Sequence, residues 1–280
     1  MKLSLSMWSL HRTVRAGSWT VIDFLSFCRK EGIDSVELLN VFWQNQAVEL
    51  DEVVRYTRES GIRVASYAVG NDFVSALEEG RSAALREITD AFPVAKALGT
   101  SVVRVFSGSL HPGIDYDQAR GWIISGLSEA AKRAEEAGIT LALENHGQLA
   151  GRGGQVKDII EQVGSKALRS TFDTGNFLLV DEHPSQAIEP LLPYIAHVHV
   201  KDFKRHPEGR YISLGGQTFE GAVAGEGDTG LASLIERLEA SGYAGKYVLE
   251  YEGTDDEAEG IRGSYAFADE YNRTHGEGRP

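Results

Sequence analysis

The chain has 280 residues, 42% of them hydrophobic and 25% charged, with a formal net charge of −13. That balance argues against a nucleic-acid partner, which needs clustered Lys and Arg to meet phosphates, and no run reaches the ~20 apolar residues of a membrane-spanning helix. Its one cysteine, Cys28, can make no internal disulfide, and the N-terminus opens on a strand-like run rather than a signal peptide, so a reducing cytoplasm fits.

From there strand-like and helix-like segments alternate to the C-terminus. Strands are expected at 2–8, 34–39, 63–68, 101–106, 139–144, 169–173, 195–201 and 246–251, and helical patterns at 19–31, 48–60, 75–98, 117–137 and 231–241. Cys28 lies on the apolar side of the first helical pattern and reads as core. Several helices stop at a glycine directly before a strand (KEGI, ESGI, KALGT, EEAGI, ASGY), the αβ turn a parallel sheet needs. Eight βα repeats predict an α/β fold, a single-domain (β/α)8 TIM barrel. A doubly wound sheet is the alternative, but no GxGxxG turn follows the first strand. A chain of this size hides roughly three quarters of its unfolded surface, enough for one large core.

No linker divides the sequence. Residues 1–271 read as the barrel and 272–280 as a disordered tail. Residues 202–228, holding RHPEGR, SLGGQ and AGEGDTG, read as a long irregular loop on the face where a site would lie. Its basic stretch 204–210 is either a phosphate contact or a solvated loop. Phe42 and Trp43, just past a strand, point to an oligomer interface or a pocket lid.

The chemistry sits at strand ends. The runs ITLALE, LRSTFD, IAHVHV and KYVLE deliver Glu144, Asp173, His199 and Glu250 at or next to their C-terminal tips. Any one of these carboxylates alone reads as well as a surface residue at a fraying strand end. Together, three carboxylates and an imidazole make a ligand set for a divalent cation of the Mn, Mg, Co or Zn kind, and a barrel gathers its active site from successive strand ends. Side chains two apart share a face. Glu144 with His146, His199 with Lys201 and Glu250 with Glu252 therefore place ionisable pairs on the inner face. His197, one layer deeper, reads as a hydrogen-bonded core residue rather than a ligand.

ENHG at 144–147, FDTGN at 172–176, HVHVKD at 197–202, GEGD at 225–228 and LEYE at 249–252 together resemble the xylose isomerase-like TIM-barrel superfamily. That group comprises sugar isomerases and epimerases, ketose 3-epimerases, inosose and 3-dehydroshikimate dehydratases, and endonuclease IV. SVELLN and VVRVFSG match earlier strands more weakly. The resemblance implies one divalent metal ion held by Glu144, Asp173, His199 and Glu250; the oxygen-rich set favours Mn2+ or Mg2+ over Co2+ or Zn2+. It further implies that Glu144 and Glu250 are catalytic, one removing a proton from the carbon next to a carbonyl and the other returning it. His146, Asn176 and Lys201 become contacts to a carbohydrate substrate. Arg104 and Glu37, near the ends of earlier strands, either line the same pocket or form a structural salt bridge.

The departures from relatives narrow the reading. SYAVGND and RVFSG lack the extra histidines of the three-metal endonuclease IV, and Asn176 stands where ketose 3-epimerases carry a histidine. The expected function is a divalent-metal-dependent isomerase or epimerase acting on a sugar or keto-sugar through metal-stabilised enediolate chemistry. The alternative is a metal-dependent lyase or dehydratase acting on a keto-polyol or 3-keto-glycoside. The remaining possibility is a non-catalytic sugar-binding barrel.

Overall fold

Helices that end on glycine hand the chain directly to parallel strands. A computed structural model describes residues 1–17 and 19–276. Its strands are β1 (Leu3–Ser6), β2 (Ser35–Leu39), β3 (Arg63–Ala68), β4 (Val102–Val105), β5 (Thr140–Glu144), β6 (Leu168–Asp173), β7 (Ile195–Val200), β8 (Asp202–Arg205), β9 (Tyr211–Ile212), β10 (Thr218–Ala222) and β11 (Lys246–Leu249). Eight of them close a parallel barrel in the order β1-β11-β7-β6-β5-β4-β3-β2. The helices are α1 (His11–Gly17), α2 (Val21–Lys30), α3 (Gln46–Ser60), α4 (Glu78–Ala97), α5 (Tyr116–Ala137), α6 (Gly153–Val163), α7 (Pro184–Leu191), α8 (Leu231–Ala240) and α9 (Glu257–Gly276). Gly61 and Gly138, with φ of 73° and 66°, cap α3 and α5 in the left-handed conformation that glycine adopts without strain. Among the described residues no helix is long and apolar enough to cross a membrane.

Each expected strand is present: 63–68 keeps its bounds, β6 begins one residue earlier, the other six are one to three residues shorter, and the five helical patterns fall on α2, α3, α4, α5 and α8. Four helices went unread. Glycine opens α6, Pro184 and Pro190 flank and enter α7, α1 spans only seven residues, and polar residues dilute the pattern of α9. The buried faces are nonetheless regular: Ile261, Ser264, Ala268 and Tyr271 of α9 recur at helical spacing against the barrel.

Two expectations are corrected. Helix α9 runs through 272–276 of the supposed tail, because Asn272 is pinned to the N-terminus: the Met1 amino group donates to its Oδ1 at 2.5 Å and its Nδ2 donates to Met1 O at 2.6 Å. Residues 277–280 of that tail lie outside the described residues. The stretch 202–228 is not irregular but an antiparallel sheet, β8-β10-β9. Its anchor is Asp202, whose Oδ2 accepts from the backbone N–H groups of Gly225 and Gly227 and whose Oδ1 accepts from Thr229 N and Oγ1. The basic stretch is therefore the connection from β8 to β9, and Arg210 within it donates to Tyr211 Oη and Glu252 O. Phe42 is buried beside Trp8, their rings 5.9 Å apart, and Trp43 packs edge-on to Tyr67.

The small sheet lies directly on the strand-end segment after β11: a Cβ added at Gly221 would come within 2.3 Å of the Glu252 backbone. A Gly221→Ala variant is expected to lose about 1–3 kcal/mol of unfolding free energy through this overpacking, read by denaturant titration. Unchanged stability would contradict the close approach.

Candidate metal centre

Glu144 ends β5, Asp173 ends β6, His199 is next to last in β7, and Glu250 follows β11, tied to β7 by its N–H donating to Val200 O at 3.0 Å. Register places Asp173 beside His199 and Val248 on the other side of it. All four residues are 4% exposed or less. They offer one ligand atom each within 4.8 Å of one another. His199 Nδ1 lies 3.2 Å from Glu144 Oε2, 3.7 Å from Glu250 Oε2 and 3.9 Å from Asp173 Oδ2.

Three of the four hold one polar atom fast and leave the other bare. Asp173 Oδ1 accepts from the backbone N–H groups of Gly175 and Asn176, each at 2.9 Å. Glu144 Oε1 accepts from Asn176 Nδ2 at 3.2 Å. His199 Nε2 lies 3.2 Å from Glu37 Oε2 and, facing an acceptor-only carboxylate, donates to it. The opposite atoms, Glu144 Oε2, Asp173 Oδ2 and His199 Nδ1, are buried and make no hydrogen bond. Buried polar atoms are rarely left so, and these three point at one another. The FDTGN segment does most of the fixing: Thr174 Oγ1 donates to Lys201 O at 2.6 Å and accepts from Lys201 N at 2.9 Å, clamping β6 to β7.

Beneath this set lies a second cluster, Glu37, His197 and His199. Here Glu37 has its contacts satisfied, while His197 Nδ1 is buried without a hydrogen bond. Glu37 Oε1 accepts from Ser6 Oγ at 2.9 Å, and Oε2 accepts from Ser66 Oγ at 2.7 Å and faces both imidazole Nε2 atoms at 3.2 Å. Hydrogen bonds explain Glu37 without a cation. It is fully buried and does not reach the cavity wall, so the expectation that Glu37 lines the pocket is corrected; it orients His199 from below. His197 takes the hydrogen-bonded core position expected of it.

Charge makes the upper set the stronger candidate for a cation site. Glu37, Glu144, Asp173, Glu250 and Glu252 are buried around only two fixed cations, Arg104 and Lys201, an excess that a low-dielectric interior tolerates poorly. Burial lifts the Asp173 carboxyl to about 7, aided by Glu144 and Glu250 and opposed by Lys201. Burial also pushes Glu144 up, but Arg104, His199 and Lys201 together hold it well below the usual carboxylate range. Burial works against charge on His199, yet Glu37, Glu250 and Glu144 raise it well above the ordinary imidazole range. Protons on Asp173 and His199 thus stand where a divalent ion would sit. One neutral imidazole and three carboxylate oxygens, three of these four groups fixed from behind and without a hydrogen bond in front, fit such an ion.

Glu144 and Glu250 open into a cavity of about 340 Å3, while Asp173 and His199 lie behind its wall. Of the sequence-expected residues, Glu144, Glu250, His146, Lys201 and Arg104 line it. Arg104 Nε lies 3.2 Å from Glu144 Oε2, so it serves both as wall and as salt bridge. Lys201 Nζ lies 2.5 Å from Glu250 Oε2 and 3.2 Å from both Asp173 Oδ2 and Glu252 Oε1. Asn176 sits behind Glu144, outside the wall, and acts by holding that carboxylate. Trp8, Arg15 and Phe106 also line the cavity without a signal in the sequence, and Glu252 joins them as its shared face with Glu250 implies. Trp8 Nε1 donates to Glu252 Oε1 at 2.7 Å, and Tyr211 Oη donates to the other oxygen.

Fold and site together agree with the match to known proteins: the chain belongs to the xylose isomerase-like TIM barrel family, whose profile matches residues 25–271. Its curated relatives include YihM of Escherichia coli, 24% identical over 186 residues (65% of this chain, 53% of YihM), and inosose dehydratase 1 of Bacillus cereus, 26% over 137 residues (46% of each). The chain spans about half the length of these two. An inosose dehydratase of Lactiplantibacillus plantarum is 22% identical over 79% of this chain and 77% of its own. Among solved structures, a D-tagatose 3-epimerase-like protein superposes with a TM-score of 0.80 at 21% identity, covering 99% of both chains. A Mycobacterium smegmatis xylose isomerase-like barrel in complex with magnesium gives 0.77 at 17% identity, over 97% of both. The 3-keto-D-glucoside 4-epimerase YcjR of E. coli gives 0.74 at 18%, over 96% of this chain and 99% of that one. At these identities the structural likeness bears on the fold alone, and the family includes epimerases and dehydratases.

A cation entering this set displaces protons. Calorimetry with Mn2+ in buffers of differing ionisation enthalpy is expected to find one site per chain, with more protons released at pH 6 than at pH 8. Asp173, with its pKa raised to about 7, is protonated at the lower pH and ionised at the higher. Release that does not change between the two would contradict the protonation assigned to Asp173.

Proposed function

We propose that this chain is a divalent-metal-dependent isomerase or epimerase of a sugar or keto-sugar, with Glu144, Asp173, His199 and Glu250 as metal ligands and Mn2+ or Mg2+ the favoured ion. The observation that carries the reading is the convergence of three bare, buried ligand atoms on Glu250 at the floor of a cavity. When bound, a divalent ion supplies Lewis acidity toward a carbonyl oxygen and tolerates the negative charge that builds there.

The remaining work falls to the side chains. Glu144 and Glu250 come from opposite sides of His199 and both face the cavity. Either is placed to take a proton from the carbon next to the carbonyl, and the other to return one. Arg104 keeps Glu144 ionised, the state a base needs. Lys201, held charged by Asp173, Glu250, Glu252 and Glu144, offers an ammonium donor to a substrate oxygen. His146 stands exposed at the rim against Phe106, ring centroids 4.8 Å apart, as a further contact.

A second reading is a lyase or dehydratase that uses the same proton abstraction and then expels a β-substituent, with Lys201 or His146 protonating the leaving group. It is favoured by the inosose dehydratases among the sequence relatives. In deuterated water the metal-loaded protein is expected to exchange the α-proton of ketoses or keto-polyols, and an enone absorbance marks elimination. Glu144→Gln and Glu250→Gln are each expected to slow exchange by about 10²–10⁴-fold. Variants that bind metal and substrate and keep full turnover would sink the mechanism.

A further inference from the structure

Lys201 stands where the ion would need room. Its Nζ lies 2.5 Å from Glu250 Oε2 and 3.2 Å from Asp173 Oδ2, two carboxylates of the ligand set. Outside that set, Glu252 Oε1 is 3.2 Å away and Asn176 Oδ1 is 3.5 Å away. Asp173 has no second oxygen to offer, because Oδ1 already accepts from the backbone N–H groups of Gly175 and Asn176. An ammonium and a divalent cation on one buried oxygen repel each other strongly. Filling the ligand set therefore drives Lys201 off Asp173 and weakens its hold on Glu250.

Glu252 is built to receive the displaced ammonium. Among the described residues it is the one carboxylate of the cavity wall outside the ligand set. Both its oxygens are fixed in advance, Oε1 by Trp8 Nε1 at 2.7 Å and Oε2 by Tyr211 Oη. Arg210 Nη2 donates to Tyr211 Oη at 2.6 Å and to Glu252 O at 2.9 Å. The Tyr211 hydroxyl thus accepts from Arg210 and turns its own hydrogen to Glu252. Its ring packs on Phe203, centroids 4.8 Å apart, and Tyr211 itself is not part of the cavity wall. Removing that hydroxyl changes no charge and takes away no group that a substrate touches.

We propose that Lys201 passes from Asp173 and Glu250 to Glu252 when the ion binds, with Tyr211 as the positioning residue that holds Glu252 ready. The transfer leaves the ammonium with one close carboxylate instead of three. A donor is then spare for a substrate oxygen in the cavity that Lys201 lines. The inference rests on the metal-dependent reading above and concerns what this chain does around the ion, whatever the substrate.

The test measures Mn2+ affinity by calorimetry in a double-mutant cycle of Tyr211→Phe and Lys201→Met. Tyr211→Phe alone is expected to weaken Mn2+ binding about three- to tenfold, part of what a hydrogen bond to a charged group contributes. In the Lys201→Met background the same change is expected to have no effect, because no ammonium remains to be received. An equal loss in both backgrounds, or none in either, overturns the inference. A crystal of the Mn2+-loaded natural chain gives a second reading that does not depend on how Lys201→Met folds. Lys201 Nζ is expected on Glu252 and away from Asp173 Oδ2, and an ammonium still on Asp173 overturns the inference. Failure of the natural chain to bind Mn2+ refutes the metal-dependent reading and this inference with it. Coupling in the cycle without proton exchange on any substrate keeps the transfer and refutes the catalytic reading instead.

Discussion

The constraint on which this molecule depends is the crowding of carboxylates inside a barrel with too few cations to balance them. Five acidic side chains are buried around Arg104 and Lys201 at the strand ends. Desolvating several carboxylates side by side is costly unless protons or metal relieve it. The fold answers by dividing the labour of each ligand. One oxygen of Asp173 is bound by two backbone N–H groups, one oxygen of Glu144 by Asn176, and one nitrogen of His199 by Glu37, so the atom left over is fixed in direction and makes no hydrogen bond, with only the ion pairs from Arg104 and Lys201 beside the two carboxylates. Preorganisation of this kind keeps the cost in the folded state, where a bound ion recovers it.

The same division links layers of the barrel that are remote in sequence. Glu37 from β2 reaches across to His197 and His199 on β7, and Ser6 and Ser66 from β1 and β3 complete its shell. Four strands therefore set the orientation of one imidazole. On the outer side, Asp202 gathers the GEGD turn, and the small sheet built on it brings Tyr211 to Glu252, which in turn holds Lys201 and Trp8. The insert after β7 thus braces Glu252, a wall residue of the site, as well as making a connection.

Much of this was legible from local pattern. The glycine-ended helices and apolar runs expose the βα repeat, and the strand tips expose the ligand quartet, because both depend on neighbours in sequence. What stayed hidden depends on depth and on distant partners. The place of Glu37 near the end of an expected strand could not say that it lies a layer below the quartet, 160 residues away from His197. Asn176 looked like a substrate contact because it follows Asp173, yet a 3-10 turn over Asn176–Val180 carries it behind Glu144. Trp8 read as strand, while the chain turns into a 3-10 segment at Met7–Leu10 and swings the indole to Glu252. The strands β8 to β10 are two to five residues long and separated by Gly and Pro, too short for periodicity to register.

The central claim is that Glu144, Asp173, His199 and Glu250, and not the hydrogen-bonded cluster around Glu37, hold the ion. A crystal of the protein loaded with Mn2+ tests it directly through anomalous scattering. One peak is expected, within bonding distance of Glu144 Oε2, Asp173 Oδ2, His199 Nδ1 and a Glu250 oxygen. No peak there at saturating metal, or a peak between Glu37 and His197, would contradict the account.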